Sequence, residues 1–239
     1  MNDLIFLDTE TTGNSQFTDR LFEVAYKFRD KTYAQYFKPP VPISVKASSI
    51  THITDEMVSD KPLFENSQMK KDLEKILPDN ILVAHSAEFD IDMLSREGVY
   101  ASDFICTMKV SRFLDENGEI PEYGLQYLRY FLKLDVKNAK AHDARSDIKA
   151  LEALFNYLFE KMKTKGISDE KILNEMKRVS KEPIIFKTIT FGKYRGKLLS
   201  ELVSLDRGYL EWLLEKKMTS DYDEENWIYS LKFYLQIKD

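Results

Sequence analysis

The sequence predicts an α/β protein, with a mixed β-sheet flanked by helices and a small α+β module after it. Three observations carry this. Residues 1–38 read as three successive strands; short apolar runs then alternate with helical patterns as far as residue 163; and the composition changes near Thr164–Gly166.

The elements follow in order. Leu4–Leu7 is an unbroken apolar run of the length of a buried strand. Leu21–Phe28 and Thr32–Phe37 are the next two strands, joined by a turn at Asp30-Lys31. Pro39, Pro40 and Pro42 then hold the chain extended. Leu63–Leu77 has helical spacing and stops at Pro78. Ile81–Ala84 is a short apolar strand, followed by a helix over Glu88–Arg96 that Gly98 ends. Phe104–Thr107 reads as a strand running into a helix through Phe113. Leu125, Leu128, Phe131 and Leu132 share a helical face. Asp143–Met162 is a long helix that buries Ile148, Leu151, Leu154, Phe155, Leu158 and Phe159. The expected domains are residues 1–163, a linker helix over 164–182, and a C-terminal module over 183–239. The linker helix has Ser168 as its cap and a single apolar stripe of Ile172, Leu173, Met176 and Val179. In the module, Ile184–Phe191 reads as a strand and residues 192–197 as a turn rich in glycine and basic residues. Two or three short helices follow, containing Tyr209, Trp212 and Trp227.

Composition narrows the function classes. No apolar stretch approaches the ~20 residues of a membrane span. The N-terminus enters a strand without a secretory leader. Cys106 is the single cysteine, which excludes intrachain disulfides and makes the cytoplasm the expected compartment. A net charge of −5 argues against a broad basic surface that coats phosphates. An enzyme that grips one strand end through bound cations remains compatible with it.

Three segments carry chemistry. In Asp8-Thr9-Glu10-Thr11-Thr12-Gly13, the strand period of two puts Asp8 and Glu10 on the same side. Two anions at the mouth of an apolar core need a positive charge between them, and Mg2+ or Mn2+ suits carboxylate oxygens. Acidic pairs at this spacing also occur as solvated strand ends, so the other segments decide. In Ala84-His85-Ser86-Ala87-Glu88-Phe89-Asp90 a strand ends and an acid opens a helix. Compensation of the helix dipole alone accounts for such an acid, and His85 reads as a structural histidine. In His142-Asp143-Ala144-Arg145-Ser146-Asp147, Asp143 is explained as the helix cap and Asp147 lies one turn inside. Together Asp8, Glu10, Asp90 and Asp147 form a set that needs two divalent ions. Two metals ~3.5–4 Å apart clamp an in-line displacement at phosphorus. Histidine, whose ordinary pKa is near neutral, is the natural group to take a proton from the attacking water, and His142 stands beside this set.

These segments also match a family. Asp8-x-Glu10-Thr11-Thr12-Gly13, His85-x-x-x-Phe89-Asp90 and His142-x-x-x-x-Asp147 resemble, in order and spacing, the three motifs of the DEDDh 3′→5′ exonucleases. These are relatives of the proofreading subunit of bacterial DNA polymerase III, with an RNase H-like fold. Ile50–Met57 is similar to the segment this family places between its first and second motifs. The resemblance covers residues 1–163. It implies that Asp8, Glu10, Asp90 and Asp147 bind two Mg2+ or Mn2+ ions, Asp8 bridging both and Glu10 holding one, and that His142 is the general base. It gives Thr11 and Gly13 the terminal nucleotide. Phe89 and His52 become candidates to contact its sugar or base, with core packing and a surface loop as their respective alternatives.

Phe191–Lys197 with Asp206–Leu214 resembles the C-terminal module of exodeoxyribonuclease X-like proteins. There Lys193, Arg195 and Lys197 with Tyr194 form a basic and aromatic patch suited to phosphate contact and base stacking. A solvated turn on a structural module is the alternative. The activity implied is hydrolysis of DNA at single-stranded or frayed 3′ ends, releasing nucleoside 5′-monophosphates, in repair or proofreading. The implied partner is single-stranded DNA or another 3′ end, with a DNA polymerase as candidate protein partner and no membrane. Two alternatives stay open. One is an exoribonuclease, because no identified residue reads a 2′-hydroxyl; the other is a non-catalytic, polymerase-associated subunit that keeps the fold.

Overall fold

A computed structural model describes residues 3–15, 17–136, 144–164, 166–220 and 224–237. The described fold divides into two compact units, Met1–Met108 with Gly124–Ser180, and Lys109–Tyr123 with Lys181–Asp239.

The first unit begins with β1 (Leu4–Thr11), β2 (Leu21–Phe28) and β3 (Lys31–Tyr36). Helices α1 (Val45–Thr51), α2 (Asp55–Val58) and α3 (Gln68–Ile76) lead to β4 (Ile81–Ala84), α4 (Ala87–Arg96) and β5 (Asp103–Cys106). Helix α5 (Thr107–Leu114) leads out of this unit, and α6 (Leu125–Phe131), α7 (Ala144–Lys163) and α8 (Asp169–Lys181) complete it. The sheet order is β3-β2-β1-β4-β5. The first three strands pair antiparallel, whereas β4 pairs parallel with both β1 and β5. The expected mixed sheet flanked by helices is therefore present.

The alternation along the central strand positions the site. Ile5 and Leu7 join the core cluster that contains Leu73, Leu77, Met93 and Leu94. Phe6 faces the other way and meets Phe155 of α7 edge-on, 5.5 Å between centroids. With a period of two, Asp8 and Glu10 continue the face of Phe6 toward α7, while Thr9 continues the face of Leu7 toward α4.

Several boundaries differ from the sequence reading for physical reasons. β1 runs past its apolar stretch to Thr11 because β2 pairs with it along that length, so Asp8 and Glu10 lie within the strand. The helix expected from Leu63 starts at Gln68, because the Ser67 hydroxyl caps it by accepting from the Lys70 N–H at 3.0 Å. Helix α8 buries Ile172 and Met176 completely. Its Ser180 hydroxyl accepts the Cys106 N–H at 2.7 Å.

The second unit contains α9 (Leu199–Leu205), α10 (Arg207–Met218) and α11 (Glu225–Leu235) around Ile189, Leu202, Leu210, Leu213 and Leu231. The strand expected over Ile184–Phe191 is replaced by extended chain with one isolated bridge, Thr188 to Leu198. Side chains of α11 satisfy this backbone instead of a neighbouring strand. The Ile184 N–H donates to Asn226 Oδ1 at 2.5 Å and the Phe186 N–H to Ser230 Oγ at 2.8 Å. Among the described residues no helix is long and apolar enough to cross a membrane.

Candidate active site

Asp8 and Glu10 of β1 and Asp147 of α7 bring a carboxylate oxygen each within 4.8 Å of one another. The strand pleat supplies the first two, and the first turn of α7 delivers the third onto the same face. Asp147 is held from α6, where the Gln126 amide donates to its Oδ1. Gln126 is oriented in turn by buried Arg129, which donates to its Oε1 at 3.3 Å and to the Val136 carbonyl at 2.9 Å.

Asp90 is buried in the first turn of α4, outside that group of three. Its Oδ1 accepts both from the Thr9 N–H at 3.1 Å and from the Thr9 hydroxyl at 2.7 Å. Thr9 thus ties the acid of α4 to the strand from the pleat opposite Asp8 and Glu10.

The cluster is electrostatically frustrated. Burial pushes the Asp8 carboxyl well above its ordinary value, and Asp90, Glu10, Asp147 and Glu23 push it further. Burial, then Asp147 and Asp90, raise Glu10 to about 7. Asp90 is also raised to about 7 by burial, against the lowering effect of its two bonds from Thr9. Converging hard oxygen donors that ionise reluctantly are a donor set a divalent cation would satisfy, so the residues fit one.

Glu23 was missed by sequence reasoning. It is buried, and the β1–β2 register sets it directly opposite Glu10. A lone acid in the apolar run Leu21–Ala25 was the available signal. Thr9 and Gln126 were also missed; each acts through packing of a different element against the acids.

The other expected residues are distributed as follows. The register shifts between Glu10 and Thr11, a bulge after which Thr11 still pairs with Leu21. Beyond it the Thr11 hydroxyl donates to the Gly13 carbonyl at 2.6 Å. The Thr12 hydroxyl and Ser15 N–H both donate to Asp19, each at 2.8 Å. A Cβ on Gly13 would come to 2.5 Å from Asp19 Oδ2, so a side chain here would have to displace that carboxylate. His52 is exposed and ends α1 in the left-handed region at φ 60°. Phe89 is partly buried and packs against the core cluster. Among the described residues neither hydrogen-bonds to the carboxylates. The His85 Nδ1 lies 3.0 Å from Thr107 Oγ1. His142 and Asp143 lie outside the described residues. In the second unit, Lys193 pairs with Asp206 at 3.4 Å and the Tyr194 hydroxyl donates to the same carboxylate at 2.6 Å. Arg195 and Lys197 are exposed.

Comparison with known proteins gives this geometry a family. Residues 5–155 match the family model described as Exonuclease. Over 183 residues the chain is 34% identical to Exodeoxyribonuclease 10 of Escherichia coli strain K12, covering 74% of this chain and 73% of that protein. The chain belongs to the exonuclease family. Residues 189–217 of this exonuclease match the model described as Exodeoxyribonuclease X-like C-terminal. It is also 30% identical over 218 residues to the PolC-type DNA polymerase III of Caldanaerobacter subterraneus subsp. tengcongensis. That match covers 84% of this chain and 15% of the polymerase. Among solved structures, Exonuclease X in complex with 5′ overhanging duplex DNA superposes with a TM-score of 0.57 at 28% identity, over 74% of this chain and 99% of that one. E. coli Exonuclease I in complex with a dT13 oligonucleotide shares the fold, with a TM-score of 0.56 at 18% identity over 69% and 42% of the two chains. The mixed sheet flanked by helices is thus the RNase H-like exonuclease fold.

Proposed function

We propose that this exonuclease removes nucleotides from single-stranded or frayed 3′ ends of DNA as nucleoside 5′-monophosphates, with two Mg2+ or Mn2+ ions, in repair or proofreading. The observation that carries the reading is the convergence of Asp8, Glu10 and Asp147, with Asp90 held beside them by Thr9. These four carboxylates would hold the ions. Bound divalent cations supply charge for the phosphate oxygens and acidify the attacking water. Asp8 and Glu10 each lie within the field of the other acids of the cluster, so both would hold the ions. His142 is assigned the proton from the attacking water, on its spacing from Asp147. Thr11 and Gly13 are assigned the terminal nucleotide. His52 and Phe89 are assigned its sugar or base. The proposed catalytic domain is 1–163, the connecting helix 164–182 and the C-terminal module 183–239.

DNA is preferred over RNA because Exodeoxyribonuclease 10 and a DNA-bound Exonuclease X match this chain over most of their own length. Matched DNA and RNA oligonucleotides, labelled at the 5′ end and incubated with Mg2+, test the reading. The expected result is a ladder shortening from the 3′ end of the DNA, release of mononucleotides, and arrest by EDTA. Internal cuts, or RNA degraded as fast as DNA, would overturn it.

A further inference from the structure

The C-terminal unit carries a ladder of aromatic rings outside the carboxylate cluster. Tyr194 meets Tyr209 edge-on with centroids 4.9 Å apart, and Tyr209 lies against Trp212 at 5.6 Å. One end of the ladder is occupied. The Tyr194 hydroxyl is bonded to Asp206, while the Lys193 ammonium sits 4.5 Å from the Tyr194 ring and pairs with the same carboxylate. The other end is open: Trp212 is 50% exposed. It projects from α10 one turn after Tyr209, while Leu210, Leu213 and Leu214 of the same helix are buried.

Cations stand at both ends of the ladder. Arg195 and Lys197 lie on the turn beside Tyr194, and Lys216 lies one helical turn after Trp212. All three are exposed, and none makes an ion pair among the described residues. The turn is seated on the ladder: Gly192 and Gly196 hold φ at +66° and +84°, and a Cβ on Gly192 would approach the Tyr209 hydroxyl to 3.3 Å. Nearby acids are engaged, Asp206 as above and Glu211 by Arg207 at 2.9 Å. Glu215 is exposed on the same helix and opposes an anion.

We propose that Trp212, backed by Tyr209, is a base-stacking platform for single-stranded DNA, with Arg195, Lys197 and Lys216 meeting its phosphates. The ligand class rests on the exonuclease reading above. An exposed ring on an aromatic ladder with cations at both ends matches a chain of bases joined by phosphates, and such a site binds without sequence preference. The proposal gives Lys193 and Tyr194 no contact of their own, since both engage Asp206.

The test uses the full chain in EDTA, so that DNA is bound without being cut, and a labelled thymidine oligonucleotide of about 15 residues. Trp212→Ala should weaken binding about tenfold, and Trp212→Phe, which keeps a ring, should retain most of the affinity. The double variant Arg195→Glu, Lys197→Glu should bind about tenfold more weakly and flatten the salt dependence. Glu215→Gln should tighten binding, and Lys193→Met should leave it unchanged. A second assay follows hydrolysis of thymidine 5′-(p-nitrophenyl phosphate), which has no neighbouring nucleotide to stack; Trp212→Ala should match wild type there. Wild-type DNA affinity in folded Trp212→Ala, or an equal loss in Trp212→Phe, overturns the platform. Hydrolysis of the small ester by wild type would then leave the exonuclease reading standing, whereas failure of wild type to cleave either substrate overturns that reading.

Discussion

Neutralising one acid of the cluster should stabilise the metal-free protein while destroying its activity. Glu10 is displaced from 4.5 to about 7. At about 1.4 kcal/mol for each tenfold change in proton affinity, its ionisation in the folded state costs about 3 kcal/mol. The sign follows from linkage. A carboxyl whose pKa is raised by folding favours the folded state below its unfolded value, and that contribution is lost as pH rises through the folded value. Metal-free protein should therefore be more stable near pH 5 than at pH 8, with the loss spread between about 4.5 and about 7. Glu10→Gln removes the ionising group but leaves a buried polar amide, so a gain of about 1–3 kcal/mol at pH 8 is expected. For a domain of this size that raises Tm by roughly 2–10 °C. Differential scanning calorimetry in EDTA at pH 5 and pH 8 measures it. The gain should be large at pH 8, small at pH 5, and reversed by saturating Mg2+, which the variant binds poorly. A Glu10→Gln protein melting at or below wild type at pH 8 without metal would refute the frustrated-cage argument.

Asp8→Asn should lower the rate on a DNA oligonucleotide by roughly 10²–10³ or more, at least as much as Glu10→Gln, since Asp8 is the more deeply buried of the two and is surrounded by Asp90, Glu10 and Asp147; single-turnover rates compare them. Thr9→Val keeps the side-chain volume but deletes the hydroxyl that donates to Asp90 at 2.7 Å. Calorimetric Mn2+ titration should show affinity reduced by about 10–100-fold, and the acid limb of the pH–rate profile should move to higher pH because Thr9 lowers the Asp90 pKa. Gly13→Ala should displace Asp19, whose Oδ2 would lie 2.5 Å from the new Cβ. The expected cost is about 1–3 kcal/mol of stability in chemical denaturation, together with a raised KM for DNA.

How much of this was legible depended on whether a residue's position followed from local periodicity. The strand period placed Asp8 and Glu10 on one face, and helical periodicity set α7 within a residue of its observed ends. Ile184–Phe191 misled because its apolar residues suit a strand, while Asn226 and Ser230 meet its backbone from a helix more than forty positions later. Glu23 became visible only through the antiparallel register that sets it against Glu10. Gln126 required knowing that α6 packs beside the start of α7.

Thr9 shows why the supporting residues were harder to read than the acids. Within Asp8-Thr9-Glu10 it looks like a spacer, and a spacer between two ligands on a strand points away from them by necessity. That orientation faces α4, where it meets Asp90 with both its hydroxyl and its amide. One three-residue stretch therefore serves both faces of the sheet, presenting two carboxylates toward α7 and fixing a third from α4. The same arrangement explains how the fold tolerates the cluster's repulsion. Asp8 and Glu10 extend from a fully buried strand segment at Ile5–Leu7, Asp90 is held by two hydrogen bonds, and Asp147 is gripped by Gln126. Relief by moving one acid away would break packing or hydrogen bonds on a different element each time, so the acids remain converged, with Asp8, Glu10 and Asp90 raised in pKa.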